Sequence, residues 1–372
     1  MNGDRWRERA RAIAEELIVP VANRIDREHS IPPEIVRRMA GEGLFGLAIP
    51  KEFGGSAASA RDIAAVVEEI SFGSLSVATD LAVHLSVASA PIAQWGTPEQ
   101  KQRWLPAMAR GEWLGAFALT EPGAGSDAQH LTTRYTSSPE GFRIDGAKTF
   151  ITNGGQARVV LVFATRDPGL EARGISCFLV EHGTPGFTVA RTLEKLGLMG
   201  SETTELHFED CRVDRTSLLG PEGQGFRIAM SSLEGGRIGI SASSLGVARA
   251  ALKVLRESVR TDSEEWARAA LARAHVEVEA AGALVERAAT QKDAGVDYGL
   301  AASAAKLFAS QAAFRVASKA LELVLQGNAD ENARATAKRL FRDSRVLAIV
   351  EGATEIQELI LGRRLASPPR AD

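Results

Sequence analysis

Phe117-Ala-Leu-Thr-Glu-Pro-Gly-Ala-Gly-Ser-Asp127 is the most informative segment of this sequence. In it, an apolar, strand-like run passes directly into a polar turn. In the turn, Pro122 fixes φ and lacks an amide donor, while Gly123 and Gly125 allow the backbone to approach another group closely. Because buried polar groups need partners, the turn is either capped internally, as an ordinary tight surface turn, or wrapped around a polar ligand. No helical pattern follows it directly, so it does not match the glycine-rich dinucleotide fingerprint.

A second segment favours the ligand-binding interpretation. Gly146-Ala-Lys-Thr-Phe-Ile-Thr-Asn-Gly154 is again a strand-like run that ends in polar residues and glycine. Together the two segments resemble the strands of the acyl-CoA dehydrogenase family that grip the isoalloxazine ring and ribityl chain of a flavin. The resemblance covers almost the whole chain and continues through four further motifs, Lys195-Leu-Gly197, Phe208-Glu-Asp-Cys211, Leu219-Gly-Pro-Glu-Gly-Gln-Gly-Phe226 and Glu351-Gly-Ala-Thr-Glu-Ile-Gln357.

This resemblance implies FAD as the cofactor. Phe150 stands where the family often has a tryptophan against the flavin, so an aromatic wall is kept. Thr152 would lie near the reactive nitrogen of the flavin. The residues that the resemblance assigns to the cofactor are Phe117, Leu119, Thr120, Gly125, Ser126, Phe150, Ile151, Thr152, Thr354 and Glu355.

The composition is that of an ordinary globular protein and argues against several other classes. A formal net charge of −3 over 372 residues leaves no basic surplus for nucleic acid. Cys177 and Cys211 lie in unrelated strand-like segments and are expected to be buried free thiols. Neither the cysteines nor the histidines show metal-ligand spacing, so no metal site is predicted. No run approaches about eighteen apolar residues, so we expect no membrane span and a soluble, cytoplasmic protein.

Periodicity divides the chain into three parts and predicts an α+β fold. Residues 1–112 show helical spacing throughout and predict an all-helical N-terminal domain. Residues 113–222 contain short alternating runs separated by turn residues, which predicts a middle antiparallel β-barrel or sandwich. Helical patterns return in residues 223–372 and predict a C-terminal helical bundle. The family resemblance implies the same order of domains.

Several local predictions follow the same patterns. Pro20 is expected to end the first helix. Asp145-Gly146 is expected to be a turn between two strands. The first of five helical patterns in the C-terminal bundle is expected to combine Phe226–Ser232 with Arg237–Val259. The tail, Ser367–Asp372, is expected to be loose.

Oxidation of an acyl thioester between its α- and β-carbons needs a carboxylate base, donors for the enolate oxygen and a flavin as hydride acceptor. Glu351 suits the first role because it lies between a helical run and a new helix start, where capping-box spacing to Gln357 makes Thr354 the expected N-cap. In the family, the glutamate of a Tyr-Glu-Gly-Thr sequence at this point is the base. Branches that carry the base on an earlier helix place it where this chain has Gly236. The alternative for Glu351 is a solvated carboxylate near a helix start.

The resemblance also assigns residues to the substrate. Glu234 and Arg237 match the acidic residue and the arginine that the family places along the pantetheine; the alternative is a helix-surface salt bridge, which contributes little. Ser126 would line the outer end of the thioester channel. The backbone amide of Glu351, with a flavin hydroxyl, would hold the thioester carbonyl. Gly352 is also assigned to substrate binding.

Two family elements that reach the FAD of a neighbouring subunit are missing. Where the family has Arg-x-x-Phe-Gly, this chain has Ser258, Thr261 and Asp262, and the segment is a few residues short. A Gln-x-x-Gly-Gly-x-Gly element has become Leu323-Val-Leu-Gln-Gly-Asn-Ala329. The contacts that a subunit makes to its own flavin are therefore kept, while those that it lends to its neighbour are largely lost.

The sequence thus predicts an FAD-dependent dehydrogenase of acyl-CoA or acyl-carrier-protein thioesters, with an electron-transferring flavoprotein or oxygen as acceptor. A homo-oligomer, dimer or tetramer, is expected; either a homologous partner subunit supplies the missing FAD contacts, or Arg256 or Arg260 replaces them. Two alternatives stay open. One is a flavin monooxygenase on the same fold, which would dispense with the carboxylate of Glu351. The other is one subunit of a hetero-oligomeric dehydrogenase with a shared FAD site.

Overall fold

The N-terminal region is built from helices. The computed structural model describes residues 3–327 and 329–366, and in this part of the chain seven α-helices precede the first strand. Their apolar faces meet in one core, in which Ile13, Phe45 and Leu81 are all buried. The helices are α1 (Gly3–Ile13), α2 (Ala22–Glu28), α3 (Pro33–Gly41), α4 (Ala60–Gly73), α5 (Leu75–Val83), α6 (Ala90–Trp95) and α7 (Pro98–Ala109).

Pro20 does not end the first helical segment, so that prediction was wrong. A π-helical turn at Ala14–Ile18 and a 3-10 turn at Val19–Val21 carry the chain from α1 into α2. Pro20 stands in the first turn of the 3-10 segment, where a backbone amide has no intrahelical partner to lose. The proline is therefore tolerated at a change of helix type.

The middle of the described chain forms one eight-stranded sheet. Its strands are β1 (Leu114–Ala118), β2 (Arg134–Ser137), β3 (Gly141–Thr152), β4 (Ala157–Thr165), β5 (Ile175–Glu181), β6 (Phe187–Thr192), β7 (Thr203–Asp214) and β8 (Leu218–Leu219). Their order is β6-β7-β3-β2-β4-β5-β8, with β1 paired to β4. The β1–β4 pair is parallel, as is a single bridge between β2 and β4. The predicted antiparallel domain is therefore a mixed sheet, because β1 leaves through the polar turn instead of a hairpin.

Strand β3 runs straight through Asp145-Gly146, where a turn was expected. Gly146 has a φ of 148°, and the pairing with β7 shifts register between Ile144 and Gly146. A Cβ on this glycine would lie 2.6 Å from Oγ1 of Thr133. The glycine thus permits a β-bulge and a close approach, and the chain does not reverse.

The C-terminal region is a helical bundle, as predicted. It consists of α8 (Gly225–Ser258), α9 (Glu265–Asp293), α10 (Gly299–Gln326), α11 (Glu331–Ser344) and α12 (Thr354–Ala366). Helix α8 is continuous and contains both apolar stretches of the first helical pattern. Gly235 and Gly236 lie inside α8, where packing against α4, α9 and α10 overrides the low helix propensity of glycine. The tail, Ser367–Asp372, lies outside the described residues.

Two helical stretches meet the length and composition expected of a membrane span. They are Leu75–Trp95 and Gly225–Ser258, and 72% and 78% of their most apolar windows are buried inside the fold. Core helices of globular proteins pass the same test, so the observation is weak evidence for a membrane.

Candidate active site

A buried ion pair holds the turn that follows β1. The ammonium of Lys148 donates to Oε1 of Glu121 at 2.7 Å and to the carbonyl of Leu119 at 3.0 Å. The Glu121 carboxylate also accepts hydrogen bonds from the amides of Thr132 at 2.6 Å and Thr133 at 2.9 Å. Burial disfavours both charges, yet Lys148 and these donors lower the pKa of Glu121 to about 2, while burial lowers the pKa of Lys148 to about 8. Glu121 therefore caps the turn from inside.

The outer rim of the same turn is open. Gly125 and Ser126 are exposed, and a Cβ added to Gly125 would meet no atom within 4 Å. The amide of Thr149 donates to the carbonyl of Thr120 at 2.9 Å, which places the second motif beside the first. The two interpretations of the turn are thus compatible, since its inner side is capped and its outer side is free to contact a ligand.

Phe150 forms an exposed aromatic wall next to this rim. Its φ is 59° and the residue is 68% exposed, while its neighbour Ile151 is buried. A left-handed backbone is rare for an aromatic residue, and such strain concentrates at ligand-binding sites. The strand therefore presents the Phe150 ring outward and keeps Ile151 in the core.

Polar groups beside this wall have no protein partner. Within residues 3–327 and 329–366, the hydroxyls of Thr120, Ser126 and Thr152 make no hydrogen bond to another protein group. A flat heteroaromatic ring with carbonyl and imino groups needs hydroxyls and amides next to an aromatic surface. This part of the site therefore fits the isoalloxazine ring of the predicted FAD.

The other predicted cofactor residues lie in two places. Phe117 and Leu119 are at the end of β1, where the Phe117 ring packs against Phe163 with centroids 4.8 Å apart and Leu119 is buried. Thr354 and Glu355 lie in the first turn of α12, and in the described chain no hydrogen bond or ion pair joins them to the sheet. The assignment of all four to the cofactor stays a prediction.

Glu351 stands on an irregular loop between a 3-10 turn (Val346–Ala348) and α12, with a φ of 54°. Its carboxylate reaches over the middle of α8. A Cβ on Gly236 would lie 1.9 Å from Oε2 of Glu351, so any side chain at that position would displace the carboxylate. Oε2 is buried and has no hydrogen-bonding partner within the described residues. Glu351 therefore occupies the space that a base on α8 would have used.

Three cations from three helices surround this carboxylate. Burial raises the pKa of Glu351 to about 8, although Arg237 of α8, Lys306 of α10 and Lys292 of α9 all act to lower it. The ionised form of a carboxyl group with this pKa is a stronger base than the carboxylate of a solvated glutamate. The solvated-carboxylate interpretation of Glu351 therefore does not describe this structure.

Thr354 and Gln357 do not form the predicted capping box. Thr354 is already the first residue of α12, and its hydroxyl donates to the carbonyl of Ala348 at 3.3 Å. The side-chain amide of Gln357 donates to the carbonyls of Gly352 at 3.1 Å and Glu351 at 3.4 Å. The two side chains satisfy carbonyl groups of the loop and so stabilise the loop that carries Glu351.

The Glu234–Arg237 pair does not form the alternative surface salt bridge, since no ion pair joins the two side chains in the described structure. Instead, Nε of Arg237 is buried without a hydrogen-bonding partner. Glu234 points toward α10, where a Cβ on Gly299 would lie 2.2 Å from its Oε1. Arg237 thus keeps an unused donor close to Glu351.

The segment that replaces the missing Arg-x-x-Phe-Gly element is exposed. Ser258 is the last residue of α8, and its hydroxyl donates a hydrogen bond to the carbonyl of Val254 at 2.8 Å. Nε of Arg260 lies 3.4 Å from Oδ1 of Asp262, and the two side chains are 83% and 80% exposed. To take over a phosphate contact, Arg260 would have to exchange this carboxylate for the phosphate.

Sequence patterns missed the lysines of the site. Lys148 occupies an inward-facing position of the alternating strand β3. The alternation of the strand could have predicted its burial. Lys292 lies in α9 and Lys306 in α10, and the rotation of each helix about its axis decides what its side chains contact. The sequence pattern does not report this rotation, so it does not predict the contacts of either lysine.

Comparison with known proteins covers the same three regions. The chain matches the family descriptions "Acyl-CoA dehydrogenase, N-terminal domain" at residues 3–112, "middle domain" at 116–211 and "C-terminal domain" at 223–366. An acyl-CoA dehydrogenase of Bacillus subtilis (strain 168) is 40% identical over 367 residues, which cover 96% of this chain and 96% of the relative.

Two further relatives differ in the activity their names describe. The acryloyl-CoA reductase (NADH) of Anaerotignum propionicum is 40% identical over 369 residues, which cover 96% of this chain and 92% of the relative. The structure of butyryl-CoA dehydrogenase from Megasphaera elsdenii is similar with a TM-score of 0.93 at 34% identity and covers 98% of each chain.

Proposed function

This chain belongs to the acyl-CoA dehydrogenase family, and on that premise we propose that Glu351 removes the α-proton of an acyl thioester. The protein is an FAD-dependent oxidoreductase that acts on the bond between the α- and β-carbons of acyl thioesters. When bound, FAD supplies the acceptor for the hydride that leaves the β-carbon. The observation that carries the role of Glu351 is its buried, unpartnered Oε2 above Gly236.

The chain's own groups have separate tasks in this proposal. The carboxylate of Glu351 takes the α-proton, and its lone pairs are available because no protein donor binds Oε2. The amide of Glu351 makes no backbone hydrogen bond in the described chain and would donate to the thioester carbonyl, with Gly352 beside it. Glu234, Arg237 and Ser126 would position the pantetheine arm.

An anaerobic titration of the flavin-loaded protein tests the proposal. Acyl-CoA and acyl-carrier-protein thioesters of increasing length and branching are added without oxygen, and the flavin absorbance is followed. Because the structure is similar to that of butyryl-CoA dehydrogenase, thioesters with short straight acyl chains are tested first. We expect at least one thioester to bleach the flavin; a fully loaded protein that no member of the panel reduces would exclude the proposed function.

The finer properties are also proposals. We propose an electron-transferring flavoprotein or oxygen as the electron acceptor, a dimer or tetramer as the assembly, and the cytoplasm as the location. The acryloyl-CoA reductase relative is named for the opposite direction of the reaction. The buried carboxylate of Glu351 argues against a flavin monooxygenase, which has no need of it.

The rate of substrate-dependent flavin reduction should rise with pH. Glu351 has to be ionised to take a proton, and burial raises its pKa to about 8, so the protonated, inactive form prevails below that pH. The second-order rate constant of anaerobic reduction, measured by rapid mixing across a pH series, should increase through an apparent pKa of about 8. A profile that is flat or falls across that range would contradict the assignment.

Arg237→Ala should weaken thioester binding while the flavin content stays the same. A charge-assisted hydrogen bond from the buried guanidinium contributes about 1.5–3 kcal/mol, or roughly tenfold to a hundredfold in affinity. Apparent affinity is measured by anaerobic titration, with Arg227→Ala, an exposed arginine on the same helix, as the matched control. An affinity equal to that of the control would return Arg237 to a structural role.

Purified alone, the protein should contain less than one FAD per chain. Loss of the family's arginine removes a charge-assisted phosphate contact of about 1.5–3 kcal/mol, and Asp262 adds a carboxylate at the replacement segment. Flavin is released from the purified protein and quantified per chain. Stoichiometric, tightly held FAD without any partner would instead show that contacts such as those of Arg256 or Arg260 compensate.

A further inference from the structure

One lysine holds the loop that carries Glu351 from the side of α10. Lys306 is fully buried, and its ammonium donates to the carbonyl of Gly352 at 2.7 Å and to the carbonyl of Ala348 at 3.1 Å. These carbonyls lie on either side of Glu351 in the sequence. A single cation thus bridges the two ends of the short loop.

We propose that Lys306 is a positioning residue for the reaction, which fixes the loop backbone so that the Glu351 carboxylate stays over Gly236. This inference rests on the proposed role of Glu351 and adds a second residue to it. Lys306 itself would touch neither the substrate nor the flavin, because both of its hydrogen bonds go to the loop.

The loop needs such a constraint. Glu351 has a φ of 54°, a left-handed conformation that costs a residue other than glycine about 1–2 kcal/mol. A conformation of this kind persists only where the surroundings determine it. The hydroxyl of Thr354 and the amide of Gln357 also bind loop carbonyls, but among these groups only Lys306 can carry a charge, and burial lowers its pKa to about 8. While Lys306 is charged, its hydrogen bonds are roughly twice as strong as neutral ones.

Lys306 also contributes to the electrostatic field at the base. Arg237 from α8, Lys292 from α9 and Lys306 from α10 act together to lower the pKa of Glu351 against its burial. Three further carboxylates face the same cations: Asp293 acts on Lys292, Glu234 on Arg237 and Lys292, and Glu355 on Lys306. Removal of the Lys306 charge should therefore move the ionisation of Glu351 to higher pH.

Three variants separate the two effects of Lys306. Lys306→Met removes both the charge and the hydrogen bonds at nearly constant volume, whereas Lys306→Gln removes the charge and keeps a donor. Lys292→Met is the comparator, since it removes a nearby charge that makes no hydrogen bond to the loop. For each variant, FAD content and thermal unfolding are measured first, and then the anaerobic rate of flavin reduction at saturating thioester across a pH series.

We expect all three variants to shift the pH midpoint upward. Only Lys306→Met should also lose rate at the high-pH plateau, by about 10²-fold, because small displacements of a reacting group have effects of this size. Lys306→Gln should recover most of the plateau. If Lys306→Met does not fold, the pH midpoint of flavin reduction in Lys306→Gln decides. We expect Lys306→Gln to fold, because an uncharged side chain avoids the cost of burying a charge.

The proposal is overturned if the Lys306 variants match the wild-type protein in both midpoint and plateau, or if Lys306→Met lowers the plateau no more than Lys292→Met does. Failure of the proposed function looks different, because the wild-type protein itself would then not reduce its flavin with any thioester. The two failures are therefore distinguishable in one set of measurements.

Discussion

Glu351→Gln should fold and bind flavin as the wild-type protein does, but lose substrate-dependent flavin reduction by about 10²–10⁴-fold, the usual contribution of a general base. The amide is nearly isosteric with the carboxylate, so it fits the space above Gly236, but it cannot accept the α-proton. The position on α8 where some branches of the family carry the base is Gly236 in this chain, so no carboxylate stands there.

The measurement is the rate of anaerobic flavin reduction after rapid mixing with the best thioester of the panel. Glu358→Gln, an exposed carboxylate on the helix that follows, is the matched control and should keep the wild-type rate. If Glu351→Gln lowers the rate of flavin reduction by less than about tenfold, Glu351 is not the general base.

Lys148→Met should strongly destabilise the folded protein. It leaves the buried Glu121 carboxylate without its counter-ion, and breaking a buried pair in this way costs about 3–5 kcal/mol. Because Lys148 also holds the carbonyl of Leu119, the flavin-facing turn should loosen at the same time and FAD content should fall.

Denaturant unfolding followed by circular dichroism measures this effect, with Lys51→Met, an exposed lysine, as the control. The double variant Glu121→Gln with Lys148→Met should be more stable than Lys148→Met alone, because the orphaned charge is gone. Equal stability of Lys148→Met and the control would mean that water or a rearranged turn compensates the Glu121 carboxylate.

The segments that line the candidate site could be located from the sequence because their signals are local. The Thr-Glu-Pro and Ile-Thr-Asn segments each hold their chemistry within a few residues, and a break between two helical patterns marks Glu351 in the same way. The order of helical region, sheet and helical bundle also follows from periodicity, since the periods of strands and helices differ.

What could not be predicted depends on contacts distant in sequence. An alternating run indicates a strand but not its partner, so the parallel pairing of β1 with β4 stayed hidden. Gly235 and Gly236 lower the intrinsic helix propensity of α8, and its packing against neighbouring helices offsets this loss. Lys306 acts on carbonyls 42 and 46 residues further along the chain, which no local pattern reports.

The catalytic role proposed for Glu351 and the structural role proposed for Lys306 concern the same loop. Glu351 gains its proton affinity from burial, and burial is possible because α8 offers a glycine beneath the carboxylate. The surrounding cations keep the group from being permanently protonated. The site thus sets desolvation, which raises the pKa of Glu351, against nearby positive charge, which lowers it.

The most direct test of the proposed reaction is the product formed in a single anaerobic turnover. Flavin-loaded protein is mixed with a limiting amount of saturated acyl thioester in the absence of oxygen, and the thioester is analysed by mass spectrometry while the reduced flavin is counted. We expect one α,β-unsaturated thioester for each flavin reduced, and none from Glu351→Gln. An oxygenated product that forms only when air is admitted, or flavin reduction without an unsaturated thioester, would contradict it.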